Sequence, residues 1–166
     1  AKGLGLEVVD ATCPMVTEIH VLVKELVAEG NKIVVIGDHD HQEVRGICGH
    51  AKSASATADD PIVIAHPEEV ETRMPRILKK VAVVVQSTQN IVNVQKIVSL
   101  LVPKVHSLHV VNTICGPTKS HQKEILQMPK DNDVIIIVGS FISANTKRLT
   151  SISSELNPRT YQVETS

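Results

Sequence analysis

Two cysteines stand where a strand is predicted to give way to a helix. Cys13 follows Asp10-Ala11-Thr12 and precedes Pro14, after which the apolar residues have helical spacing; Cys115 follows Thr113-Ile114 in a similar setting. A thiol at the start of a helix is favoured as a thiolate, because unpaired backbone N–H groups and the helix dipole stabilise negative charge. The two turns therefore predict a metal or redox centre, provided that the fold brings them together.

A second set of candidates carries hydroxyl or amide groups near predicted helix starts: Ser87, Thr88, Thr118, Ser143 and Asn145. Such residues routinely cap helices. The same helix N–H groups also bind anions, so several of these residues around one cavity would suit a phosphate or diphosphate. Both interpretations stay open at this point. The sequence has no glycine-rich phosphate loop and no dinucleotide fingerprint, so neither ATP nor NAD is indicated.

His41 and Glu43 follow the end of a predicted strand, and His39 shares their polar loop. Taken alone, this spacing is more typical of a solvated loop than of a functional pair. A zinc site built from Cys13, Cys115 and His41 is one alternative for the metal. Cys48 is predicted to be a small apolar thiol of the core.

The composition limits the function classes. The 166 residues suit one domain or two small ones, and aromatic residues make up only 1%. Scarce aromatics argue against nucleic-acid binding by base stacking, and a net charge of −1 favours neither nucleic acid nor an anionic membrane. No apolar run approaches the ~20 residues that span a bilayer. Three cysteines do not suggest a secreted disulfide framework, so we expect an intracellular protein.

Apolar patterning predicts strands that alternate with helices. The predicted strands span 7–9, 32–37, 61–65, 81–85, 108–111, 134–138 and 160–163. Helices are predicted over 14–29, 67–74, 90–101, 117–127 and 143–156, with a short helix after the loop 38–44. This alternation indicates an α/β fold of three-layer units with mainly parallel sheets, whose ligands bind at the carboxyl ends of the strands. We expect two units, residues 1–111 and 112–166.

Five segments carry a resemblance to a known family, and they occur in one order along almost the whole chain. They are Asp10-Ala-Thr-Cys-Pro14; Ile36-Gly37 through His41-x-Glu43-Val44-x-Gly46; Gln86-Ser-Thr-Gln89; Thr113-Ile-Cys115-x-x-Thr118; and Val138-Gly-Ser140-x-x-Ser143-x-Asn145-x-x-Arg148-Leu149. Together they resemble the 4-hydroxy-3-methylbut-2-enyl diphosphate reductases, which catalyse the last step of the non-mevalonate isoprenoid pathway. The resemblance implies three pseudo-related α/β units, of which this chain would contain two.

The resemblance also implies a 4Fe–4S cluster held by three cysteines. Cys13 and Cys115 match two of these ligands, whereas the family's first cysteine has no counterpart here and Cys48 lies in a different motif. The family's later Ala-Gly-Ala-Ser segment has no counterpart here either, so we expect the family's N-terminal and C-terminal parts to be missing from this chain. Because two cysteines do not hold such a cluster securely, we expect the 166 residues alone to be inactive.

The remaining roles that the resemblance implies fall on residues already singled out. Glu43 would be catalytic and deliver protons toward the hydroxyl group of the substrate. The substrate-binding residues would be His41, Ser87, Thr88, Thr118, Ser143 and Asn145. Ser87 stands where the family usually has threonine. Further departures are Gln42 for proline, His121 for arginine and Ala144 for a second serine.

The implied partners are an allylic diphosphate and an electron donor such as ferredoxin or flavodoxin, in the bacterial cytoplasm or a plastid. An inactive fragment, or a non-catalytic diphosphate-binding α/β module, remains the alternative.

Overall fold

The computed structural model describes residues 3, 5, 7, 9–54 and 60–164, and these form two parallel β-sheets flanked by helices. The helices are α1 (Pro14–Ala28), α2 (Gln42–Ala54), α3 (Glu69–Arg73), α4 (Ile91–Leu101), α5 (Gly116–Ile125), α6 (Met128–Asp131) and α7 (Ala144–Leu156), with a 3₁₀ turn at Val102–Lys104. The strands are β1 (Lys32–Ile36), β2 (Ile62–Ile64), β3 (Leu78–Val85), β4 (Val105–Val110), β5 (Ile135–Val138) and β6 (Thr160–Val163).

The larger sheet has the strand order β2-β1-β3-β4, and all of its pairs are parallel. Its central strands are apolar on both sides because successive side chains point to opposite faces. Val34 and Val83 pack with α3 and α4 on one face, and Val35 and Val84 pack with α1 and α2 on the other. The predicted three-layer α/β architecture is thereby confirmed.

The smaller sheet pairs β5 with β6 in parallel, and its core is small. The buried apolar residues of this cluster are Ile125, Ile135 and Ile137, with Leu149 and Ile152 packed against them. The opposite face of the sheet is apolar but exposed, as Ile136, Val138, Tyr161 and Val163 show. The division of the chain near residue 112 stays a prediction.

Some element bounds differ from the sequence-based expectation. The short helix after the loop 38–44 is a 13-residue helix, and β3 and β4 begin earlier than predicted because Leu78 pairs with Val105. Glu7 and Val9 lie outside any strand, and Val8 is outside the described residues. Pro129 occupies the first turn of the short helix α6, where proline needs no N–H partner. Within the described ranges, no helix is long and apolar enough to cross a membrane.

Candidate functional site

Cys13 occupies the N-cap position of α1, directly before Pro14. Its carbonyl oxygen accepts hydrogen bonds from the N–H groups of Val16 at 2.9 Å and Thr17 at 3.1 Å, and its thiol is exposed. The side chain makes no capping hydrogen bond. The sequence expectation of a thiol at a helix N-terminus therefore agrees with the geometry.

Cys115 is the N-cap residue of α5, and it is tied to the end of β3. Its N–H donates to the carbonyl oxygen of Ser87 at 3.0 Å. Its Sγ lies 3.0 Å from Oγ1 of Thr118, which is buried. Thr118 therefore contacts the thiol rather than capping the helix, and it can donate a hydrogen bond to a thiolate at Cys115.

Thr113 holds the Cys115 turn against β3. Its Oγ1 accepts a hydrogen bond from the N–H of Val85 at 2.8 Å and donates to the carbonyl oxygen of the same residue. The pairing between β3 and β4 has ended two residues before Val85, so a side-chain hydroxyl takes the place of the missing strand. Nothing in the local sequence around Thr113 indicates this role, because its partner lies 28 positions away.

The starts of α1 and α5 border one cleft of about 360 Å³. Met15 and Ile19 line it from α1, and Asn112, Gly116 and Lys119 line it from the Cys115 turn and α5. Thiols at two helix starts are the donor type that iron–sulfur clusters and zinc use. Among the residues that the structure describes, no group of three His, Cys, Asp or Glu side chains could hold a metal. Among the described residues, the zinc site with Cys13, Cys115 and His41 is therefore not formed, and the ligand roles of the two cysteines stay predictions.

Glu43 and Ser87 form a doubly hydrogen-bonded pair between the start of α2 and the turn after β3. Glu43 Oε1 accepts from the backbone N–H of Ser87 at 2.6 Å, and Glu43 Oε2 accepts from Ser87 Oγ at 2.7 Å. Ser87 is buried and lies 44 positions from its partner. Because the Ser87 carbonyl oxygen also accepts from Cys115, the carboxylate, the hydroxyl and the thiol-bearing turn are joined through one residue.

His41 precedes α2 and is half-buried at the edge of a second cleft of about 530 Å³. Its Nδ1 lies 3.3 Å from the N–H of Glu43, which can only donate. Nδ1 is therefore the acceptor, and in the neutral ring Nε2 carries the proton. This tautomer allows His41 to donate a hydrogen bond to a ligand.

Gln86 is fully buried and connects the His41 loop to Thr88. Its Oε1 accepts from the N–H of Asp38 at 2.9 Å, and its Nε2 donates to Thr88 Oγ1 at 2.8 Å. Gly37 allows this close approach, since a Cβ there would lie 2.6 Å from a Val44 methyl and 2.9 Å from Gln86 Oε1. Thr88 is therefore placed by Gln86 and does not cap α4, whose cap is Asn90.

Ser143 and Asn145 lie at the start of α7. Ser143 caps the helix, with its Oγ accepting from the N–H of Thr146 at 3.4 Å, so the capping interpretation holds for this serine. The buried Oδ1 of Asn145 has no hydrogen-bond partner among the described residues. Gly139 lets α7 approach β5, because a Cβ there would lie 2.5 Å from Thr146 Oγ1.

Arg148 joins α7 to the loop after β1. Its Nη2 lies 2.8 Å from both carboxylate oxygens of Asp38, and its side chain is only 18% exposed. Both residues line the 530 Å³ cleft together with His41, Ala144 and Lys147. Asp38 and Arg148 are 110 positions apart, and no local sequence pattern indicates that they pair.

The other polar candidates lie away from these contacts. His39 Nε2 lies 2.9 Å from Glu69 Oε2, which also accepts from the N–H of Ala65. Cys48 is half-buried beside the α1–α2 cluster, and burial raises the pKa of its thiol, in keeping with the predicted structural role.

Residues 1–166 match the family described as LytB protein, and the chain belongs to that family. Among its relatives is the 4-hydroxy-3-methylbut-2-enyl diphosphate reductase of Geobacter sulfurreducens, 42% identical over 160 residues. That match covers 96% of this chain and 54% of the relative. The enzyme of the same name from Aquifex aeolicus is 37% identical, with 97% of this chain and 54% of the relative covered.

Two solved structures give the same result at the level of the fold. One is a structure of (E)-4-hydroxy-3-methyl-but-2-enyl diphosphate reductase, with 36% identity, a TM-score of 0.65 and coverage of 99% of this chain and 57% of the other. The second is a structure of the E-1-hydroxy-2-methyl-but-2-enyl-4-diphosphate reductase from Plasmodium falciparum, with 25% identity, a TM-score of 0.77 and coverage of 93% of this chain and 48% of the other. The chain thus spans about half the length of the relatives that it matches.

Proposed function

We propose that this chain is part of an iron–sulfur reductase that converts 4-hydroxy-3-methylbut-2-enyl diphosphate to isopentenyl and dimethylallyl diphosphate. The observation that carries the proposal is the joining of Glu43, Ser87 and Cys115 by hydrogen bonds of 2.6 to 3.0 Å. These contacts put a proton carrier and a hydroxyl group next to a turn that bears a thiol. The names of the LytB relatives support the same activity.

The reaction removes an allylic hydroxyl group as water. The C–O bond breaks, two electrons and two protons are consumed, and the hydroxyl oxygen leaves as water. Cys13 and Cys115 would be two ligands of the cluster, which supplies electrons and a Lewis-acidic iron when bound. Both cysteines lie at helix N-termini, where free N–H groups favour negative charge, and Thr118 Oγ1, 3.0 Å from Cys115 Sγ, can donate a hydrogen bond to that sulfur.

The contacts of Glu43 favour one of its two oxygens as the position of a proton when the carboxyl group is protonated. The backbone N–H of Ser87 can only donate, so Oε1 must remain an acceptor. A proton on the carboxyl group therefore sits on Oε2, which faces Ser87 Oγ at 2.7 Å. A hydroxyl both donates and accepts, so Ser87 can accept this proton's hydrogen bond and donate its own proton to the departing oxygen.

The diphosphate of the substrate would bind along the 530 Å³ cleft. His41 offers its Nε2–H from one side, and α7 forms the other side through Ala144 and Lys147, which neighbour Ser143 and Asn145 in the sequence. Binding energy from the diphosphate would hold the allylic end of the substrate in position for the reaction. The allylic end would then need no strong contacts of its own. Electrons would come from a small donor such as ferredoxin or flavodoxin, in the bacterial cytoplasm or a plastid.

The test uses anaerobically purified protein that carries this chain. Iron and sulfide analysis should find a cluster, and Glu43→Gln should retain it while turnover falls by about 100-fold or more, the usual contribution of a general acid. Glu25→Gln is the matched control, because Glu25 is an exposed carboxylate in the last turn of α1. Absence of iron and sulfide, or normal turnover of Glu43→Gln, would refute the proposal.

A non-catalytic diphosphate-binding module is the second candidate. It is favoured by one observation, that the described residues contain no group of three metal-ligating side chains. Calorimetry with inorganic pyrophosphate, run beside metal analysis, separates the two candidates. Pyrophosphate binding by a protein that never acquires iron would select the module. For the 166 residues alone we expect no turnover under either proposal.

A further inference from the structure

The Asp38–Arg148 ion pair connects the loop after β1 of the larger sheet to helix α7, which packs on the smaller sheet. It lies at the proposed diphosphate cleft. Asp38 follows β1 of the larger sheet, and Arg148 lies in the second turn of α7, which packs on the smaller sheet. One nitrogen of Arg148, Nη2, lies 2.8 Å from each Asp38 oxygen, and the Nε of Arg148 is buried without a partner among the described residues. Among the described residues, the hydrogen bonds of the guanidinium therefore go to Asp38.

Both ends of the pair are held by other contacts. The N–H of Asp38 donates to the fully buried Gln86, and the carbonyl oxygen of Asp38 accepts from the N–H of His41 at 3.1 Å. Arg148 lies five positions after Ser143 and three after Asn145 on the same helix. A change in the separation of Asp38 and Arg148 would therefore change the separation of His41 from Ser143 and Asn145.

We propose that Asp38 and Arg148 are positioning residues that set the width of the diphosphate cleft. Asp38 itself contributes negative charge to this cleft, which disfavours the binding of an anion. We therefore expect its role to be the orientation of the His41 loop relative to helix α7. This inference rests on the proposed function, since it takes the cleft to be the site of the diphosphate.

Charge and positioning make opposite predictions for Asp38→Asn. If only charge mattered, removing a carboxylate from the cleft would strengthen anion binding. If the pair positions the walls, the same substitution weakens binding even though the cleft becomes more positive. Asp40→Asn is the matched control, because Asp40 lines the same cleft but is 98% exposed and only 3.6 Å from the exposed Arg45.

Calorimetry with inorganic pyrophosphate on the protein that carries this chain measures the effect. We expect Asp38→Asn to weaken binding about three- to tenfold, as for loss of a partly buried ion pair, and Asp40→Asn to leave it equal or tighter. Adding Asp38→Asn to Arg148→Met should cause little further loss, because each residue acts through the other. In the reductase assay the same loss should appear in KM rather than in kcat.

Hydrogen exchange gives a readout that needs no ligand. The backbone amides of residues 143–147 should exchange faster in Asp38→Asn than in Asp40→Asn. Pyrophosphate binding by Asp38→Asn that equals or exceeds that of the unsubstituted protein, or unchanged exchange at 143–147, would overturn the positioning role while leaving the proposed function intact. If the unsubstituted protein fails to bind pyrophosphate, the proposed diphosphate site fails, and the exchange measurement alone decides whether the pair orders α7.

Discussion

Replacing Thr113 by valine should destabilise the fold far more than the change in shape would suggest. Valine has nearly the same volume, so packing is retained, but both hydrogen bonds to the backbone of Val85 are lost. Val85 is fully buried, and β4 no longer pairs with it. Each orphaned backbone group costs about 1–3 kcal/mol, so the two together should lower the free energy of unfolding by about 2–6 kcal/mol.

Urea unfolding followed by circular dichroism measures this loss, provided that the slope with denaturant is unchanged. Thr113→Ser is the matched control: it keeps the hydroxyl and removes one methyl group, for which we expect a loss of about 1 kcal/mol. Thr72→Val removes an exposed hydroxyl on α3 and should change the stability by less than about 0.5 kcal/mol. If Thr113→Val is as stable as Thr113→Ser, the hydrogen bonds from the Thr113 hydroxyl to the backbone of Val85 do not contribute to stability as proposed.

Two further predictions concern titrating groups. Iodoacetamide at pH 8 should alkylate Cys13 before Cys48, because Cys13 is exposed whereas burial raises the pKa of the Cys48 thiol and so depletes its thiolate. Mass spectrometry of the digested protein gives the order of alkylation. Equal alkylation rates for the two cysteines would contradict the prediction. Burial, together with the ring of His50 at 4.1 Å, lowers the pKa of His20, so its neutral form is preferred in the folded state. The contribution of His20 to the free energy of unfolding should therefore be retained above pH about 6.5 and fall on acidification below it. His20→Gln should flatten this part of the curve of stability against pH. An unchanged slope in the variant would disprove the prediction.

The fold was largely predictable because it follows from local apolar patterns. Apolar runs such as 81–85 can only be buried on both faces, and the alternation with helices leaves few arrangements other than a parallel layered sheet. The length of α2 was underestimated, since Gly46 and Gly49 weaken a helical interpretation. Its buried residues Val44, Ile47 and Ala51 nevertheless keep helical spacing, and tertiary packing compensates for the glycines.

The candidate site was predictable only at the level of residue types. A hydroxyl near a helix start is ambiguous in sequence, and the structure separates the cases: Ser143 caps a helix, Thr118 contacts a thiol and Ser87 binds a carboxylate. Contacts such as that between Asp38 and Arg148 depend on the packing of distant elements, which no local pattern encodes. Gln86 likewise acts through a fully buried amide whose partners are fixed only by the close approach at Gly37.

The small core of the β5–β6 sheet has a consequence for how the protein melts. Three buried isoleucines support that sheet, and a two-stranded sheet has little stability of its own. The part that carries Ser143 and Asn145 should therefore lose its structure at a lower temperature than the four-stranded sheet, giving two thermal transitions instead of one. A ligand that bridges His41 and the start of α7 would stabilise the weaker part by mass action. As the ligand concentration rises, the lower transition should move toward the upper one until the protein melts as a single cooperative unit.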